Sequence, residues 1–172
     1  RARLEAVQQE AHERVLAWLR SARLRALLLD LVEWLATGPL RPDQADRPAA
    51  PLAAARLRKL RRRVAKGGRR LERQTDEARH DVRKAAKKLR YGAEFFAGLF
   101  DRKRQQRRRK TFLAALERLQ AQLGQLNDRA SAPATLARYG LDPAPPAPDG
   151  AALVEAAADA QAMFADTRAF WR

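Results

Sequence analysis

The chain has 172 residues, 36 lysines and arginines against 20 carboxylates, a formal charge of +16 and a pI near 11.4. Apolar residues make up 46% and charged residues 33%, which excludes a disordered chain and fits one all-α domain, residues 1–172, with a real core. The absence of cysteine excludes disulfides and thiolate metal sites, and no apolar run is long enough for a bilayer span or a signal-peptide core. Residue 1 is arginine rather than methionine, so the expectation is a processed product or a piece of a longer chain.

Six helices are expected. The first runs from about residue 3 to 19 on the stripe Leu4, Val7, Ala11, Val15 and Trp18. Ser21 caps the second, which carries Leu24, Leu27, Leu28, Leu31, Trp34 and Leu35 to about residue 36 and stops at Gly38-Pro39. Three prolines make about 38–50 a loop. Pro51 suits the first turn of the third helix, whose apolar seam is Leu57, Leu60, Val64 and Leu71. Gly67-Gly68 breaks or bends it, and Thr75 caps the fourth.

The fifth helix starts in the basic run after Asp101 and continues to about residue 138. Its seam of Phe112, Leu116, Leu119, Leu123 and Leu126 alternates steps of four and three, which implies near-parallel packing on a neighbour, and Pro133 predicts a kink or break near Ser131. A second loop covers about 140–150, and the sixth helix spans about 150–170. Trp18, Trp34 and Trp171 are expected in the core. No segment alternates with period two, so the fold class is an all-α antiparallel bundle.

The charge is concentrated. Residues 56–90 hold 16 basic residues against four acids, and residues 102–110 hold seven with no acid. The rest of the chain is slightly acidic. On the fourth helix, Val82, Ala85, Ala86, Leu89, Ala93 and Phe96 fall within about 100° of arc. His80, Arg83, Lys84, Lys87, Lys88, Arg90 and Tyr91 occupy the other side and form a track of roughly 16 Å. The third helix adds Arg56, Lys59, Arg63, Lys66, Arg69 and Arg70. Like charges three and four residues apart cost a few tenths of a kcal/mol each, roughly, unless an anion screens them. These residues are therefore the candidate polyanion site, a basic groove between the third and fourth helices and the start of the fifth. Glu94 and Asp128 read as carboxylates that orient cations, and Asn127-Asp128 as a cap or a bridge between helices.

The pattern His80-x-x-Arg83-Lys84-x-x-Lys87-Lys88-Leu89-Arg90-Tyr91-x-x-Glu94-Phe95-Phe96 resembles the signature of the CHAD domain, the conserved histidine α-helical domain. Leu119-Gln120-x-x-Leu123-Gly124-x-Leu126-Asn127-Asp128 resembles the family's segment in the following helix, and the agreement covers roughly residues 20–138. The resemblance implies a helical fold of two related bundles around a basic groove that binds inorganic polyphosphate. No second histidine-plus-arginine helix occurs in residues 1–50, so the chain resembles the C-terminal half of such a domain, with a homodimer or pairing with an N-terminal half as the expected assembly.

The expected function is non-catalytic binding of inorganic polyphosphate. The alternatives are non-specific binding of RNA or DNA and an accessory domain of a polyphosphate- or triphosphate-processing enzyme. Aromatics for base stacking are few, which weighs against nucleic acid. There is no P-loop, and a lone histidine among cations suits no divalent metal, so no catalytic residue, metal or cofactor is expected. No membrane partner is expected, and the expected location is the cytoplasm, in association with polyphosphate granules.

Overall fold

A computed structural model describes residues 2–38, 48–141 and 150–172. The helices are α1 (Ala2–Leu19), α2 (Ala22–Thr37), α3 (Ala49–Gly67), α4 (Asp76–Phe95), α5 (Lys103–Arg138) and α6 (Gly150–Asp166). Two short 3-10 turns, Leu71–Arg73 and Ala97–Leu99, flank α4. The described residues contain no strand, so the fold class is all-α as the periodicity predicts. The expected loops at 38–50 and 140–150 fall largely outside the described residues.

The chain divides into two compact units, residues 1–47 and 48–172, where the sequence reading treats 1–172 as one domain. In the first unit, Ser21 caps α2 by accepting from the Leu24 N–H at 3.2 Å. Helices α1 and α2 make almost no contact with each other. Val7, Ala11 and Leu24 of their apolar stripes are half-buried, while Trp18 and Trp34, expected in the core, are 55% and 61% exposed.

The second unit is an up-and-down bundle. Gly92 of α4 lies against Leu57 and Leu60 while Gly67 of α3 lies against Val82, so α3 and α4 run antiparallel. His80 meets Asn127 and Arg83 approaches Gly124, which sets α5 antiparallel to α4. Phe112 meets Phe164 and Gly150 approaches Arg129, which sets α6 antiparallel to α5. The apolar faces converge on one core of Leu57, Val64, Leu89, Phe112, Leu116, Leu119 and Phe164, all fully buried. Among the described residues no helix is long and apolar enough to cross a membrane.

Two details depart from the sequence reading. Helix α5 continues through Pro133 without the break that was the alternative to a kink, and residues 130–135 are exposed, so water can reach the backbone that loses a hydrogen bond. Helix α6 ends at Asp166 rather than near residue 170, because the Thr167 hydroxyl takes the Phe164 carbonyl at 2.6 Å and Arg61 takes the Ala165 and Thr167 carbonyls at 3.0 and 2.6 Å. The chain then turns Phe170 and Trp171 inward onto Phe112, with ring centroids 5.7 and 5.3 Å from it.

Phe112 is the hub of that aromatic cluster. Replacing Phe112 with alanine should destabilise the fold by about 3–5 kcal/mol, read from urea denaturation midpoints.

Candidate functional site

The cation-bearing helix α4 is held rigidly at its start. Thr75 accepts the Ala78 N–H at 3.2 Å, and Asp76 and Glu77 complement the helix dipole in the first turn. The preceding turn puts Arg70 in the left-handed region, at φ 55°. Gln74 clamps that turn by donating to the Gly67 and Arg69 carbonyls at 2.6 and 2.8 Å. Arg79 donates to the Leu71 carbonyl at 3.0 Å and pairs with Asp76 at 3.0 Å. The first cation of the basic stretch is thus engaged in fixing the helix start.

Past this anchor, α4 buries Val82, Ala85, Ala86, Leu89 and Ala93, and its polar side borders α5. His80 Nδ1 lies 2.5 Å from Asn127 Oδ1. With the Asn127 amide oxygen as acceptor, Nδ1 is the donor of this contact, and Nε2 becomes a second donor only in the doubly protonated ring. Beyond it, Arg83, Lys87, Arg90 and Tyr91 of α4 and Glu117, Gln120 and Ala121 of α5 line a hollow of about 370 Å³. The Tyr91 ring is 5.8 Å from the Lys87 ammonium and 5.5 Å from the Arg90 guanidinium, within cation–π range of both.

Two donors in this hollow are buried and have no hydrogen-bond partner: Arg90 Nε and Gln120 Nε2. Glu94 stands 3.6 Å from Arg90 Nε, near enough to orient the charge and too far for a hydrogen bond. Buried donors left unmade cost about 1–3 kcal/mol each, and both belong to residues that line the hollow. Gly124 of α5 lies beside Arg83, where a methyl group would make an ordinary van der Waals contact with Nε at 4.0 Å. Three guanidinium and ammonium groups stand there against one lining carboxylate, Glu117.

The remaining residues of the predicted site divide into those near this groove and those away from it. Lys84 pairs with Asp81 at 2.7 Å on the outer side of α4, beside exposed Lys88. The Lys84 hydrogen bond and charge hold the Asp81 carboxyl below the usual carboxylate range, with smaller contributions from His80 and Arg63. Arg63 of α3 therefore approaches the start of α4, and Arg56 lies on the same flank at roughly 100° per residue. Lys59 and Lys66 are exposed and lie roughly opposite the buried Leu57–Val64 side.

Arg69 and Arg70 are not part of the α4–α5 groove. The left-handed turn at Arg70 carries them into a separate hollow with Ala158, Gln161 and Ala162 of α6. The start of α5 also departs from expectation, because Arg104, Arg107 and Arg108 line a groove shared with α6. Sequence reasoning took the third and fourth helices and the start of the fifth as the site, and did not count Glu117 and Gln120 of α5 among its walls. Glu117, Gln120, Gly124 and Asn127 were legible as that wall, since their steps of three and four put them on one side of α5, next to the leucine seam.

This geometry defines a class: an all-α protein whose antiparallel helices α4 and α5 border a cation-lined groove. The chain belongs to the CHAD domain family, whose model matches residues 1–137. The match takes in both halves of the groove and starts earlier than the roughly 20–138 of the motif resemblance, while α6 and the aromatic C-terminal residues lie outside it. Comparison with curated proteins and with solved structures gave no match.

The His80–Asn127 contact joins the two motif helices directly. A double-mutant cycle of His80→Ala and Asn127→Ala should give a coupling of about 0.5–1.5 kcal/mol in unfolding free energy. A coupling of zero would mean that the contact contributes nothing to the register of α4 on α5.

Proposed function

We propose that the chain binds inorganic polyphosphate, without catalysis, in the groove between α4 and α5. The observation that carries this reading is the convergence of Arg83, Lys87 and Arg90, with Tyr91 and Gln120, on one hollow whose single lining acid is Glu117. A phosphate chain offers closely spaced anionic oxygens with no base edges to read, and the groove offers donors and cations with only Glu117 as a lining acid. Membership of the CHAD family, which is associated with polyphosphate and triphosphate binding, supports the same ligand class.

His80 extends the row along the helix axis, and the Lys84, Lys88, Arg63 and Arg56 flank supplies a diffuse field that raises the local concentration of a polyanion. Association with a polyphosphate-processing enzyme is compatible with this role, and the cytoplasm is the expected setting. Nucleic acid remains the rival ligand. The aromatic side chain in the groove, Tyr91, is engaged by Lys87 and Arg90, which leaves it a poor stacking platform for bases.

The triple variant Arg83→Gln, Lys87→Gln, Arg90→Gln should weaken binding of long-chain polyphosphate by about tenfold or more. The same loss of charge at exposed Arg14, Arg20 and Arg138 should cost much less. Titration by calorimetry at two salt concentrations reads both effects, and equal losses would reduce the site to general charge attraction. In competition, polyphosphate should displace a single-stranded oligonucleotide, whereas the oligonucleotide should fail to displace polyphosphate at equal charge.

A further inference from the structure

A second basic surface lies on the far side of α5 from His80. Arg104, Arg107, Arg108, Lys110 and Arg118 of α5 face Met163, Asp166, Thr167 and Arg168 at the end of α6 across an open groove of about 1190 Å³. A smaller hollow of about 360 Å³ adjoins it and shares Arg108, Asp166, Thr167 and Arg168, adding Arg61 and Arg172. Together the two carry a single acidic side chain, Asp166, among their lining residues. None of the ion pairs among the described residues engages these cations.

The surface is organised. Arg61 reaches from α3 to hold the Ala165 and Thr167 carbonyls, which fixes the end of α6 and the turn that carries Arg168 and Arg172. Its Nε is buried and has no partner. Burial first, and the positive charge of Arg172 second, hold the Arg61 pKa below that of an ordinary guanidinium. An arginine cluster that pushes on its own members is relieved by an anion. Thr111, Ala114 and Ala115 line the groove with small side chains that leave room between the helices.

This surface is independent of the first groove. The α4–α5 hollow is lined from α5 by Glu117, Gln120 and Ala121, none of which lines the α5–α6 groove. The α6 wall lies outside the residues matched to the CHAD family. The two grooves are separated by about one helix diameter, roughly 10 Å.

We propose that the α5–α6 groove is a second phosphate-chain site and that it makes the bundle bivalent, so that one copy ties two stretches of polyphosphate together. This rests on the reading of the α4–α5 groove as the first such site. A bivalent binder converts long chains into a network, whereas a monovalent one only coats them. Short chains saturate both sites without linking them.

The test uses the full chain, tripolyphosphate and long-chain polyphosphate, with three proteins: wild type, Arg83→Gln/Lys87→Gln/Arg90→Gln, and Arg107→Gln/Arg118→Gln/Arg168→Gln. Arg107, Arg118 and Arg168 are exposed, so the last variant should keep its circular dichroism spectrum and melting temperature. Calorimetry should give two equivalents of tripolyphosphate for wild type and one for each variant. Turbidity with long-chain polyphosphate should appear for wild type and vanish for both variants. If the Arg107/Arg118/Arg168 variant keeps the wild-type stoichiometry and turbidity, the second site is overturned. If that variant loses an equivalent while the Arg83/Lys87/Arg90 variant loses none, the second site stands as an anion site and the first-groove reading falls, and bivalence with it. If an oligonucleotide displaces tripolyphosphate from the α5–α6 groove at equal charge, that groove is a nucleic-acid surface and the proposal fails.

Discussion

The second unit depends on the burial of one seam along α5. Phe112, Leu116, Leu119 and Leu123 are buried to within 1% of complete exclusion from water, and Leu126 nearly so. Full burial of a leucine or phenylalanine contributes about 1.5–3 kcal/mol, so this row supplies a large share of the stability of residues 48–172. It also fixes the rotation of α5 about its axis. Once the seam faces inward, Gln120, Gly124 and Asn127 must turn toward α4, while Arg104, Arg107 and Arg118 must turn toward α6.

That rotation resolves a conflict built into the chain. Cations on adjacent helices repel, and burying any of them without a partner costs several kcal/mol, roughly. The fold places them at the rims of interhelical grooves, where stems pack and charged ends reach water or a ligand. A few are fixed by specific partners. Arg79 binds the carbonyl of the preceding turn, Arg61 binds the end of α6, and Lys84 pairs with Asp81. Arg83, Lys87 and Arg90 line the α4–α5 groove with a single lining acid, Glu117.

The histidine acquires its role from the same geometry. Near one end of the α4 row, His80 is bonded to Asn127, so it joins the two motif helices while presenting its second ring nitrogen. Tyr91 is similarly double in function: its ring gathers Lys87 and Arg90 and so sets the spacing of the charges it touches.

Most of the helices and the cationic face of α4 were legible in the sequence, because periodicity and capping act over three or four residues. Thr75 and Ser21 cap their helices through contacts three residues away, and the α4 face follows from 3.6 residues per turn. The pairing of His80 with Asn127, 47 residues apart, was a matter of packing. So was the exposure of Trp18 and Trp34, since local pattern identifies an apolar stripe without saying what covers it. Arg69 and Arg70 belonged by spacing to the basic row of α3, but a left-handed turn sends them to another face. By itself the sequence determined helices, caps and which side of each helix is charged, because those are properties of one segment and its solvent. Only the tertiary structure decided which charged sides share a groove, because that depends on the rotation each helix adopts when its seam is buried against the others.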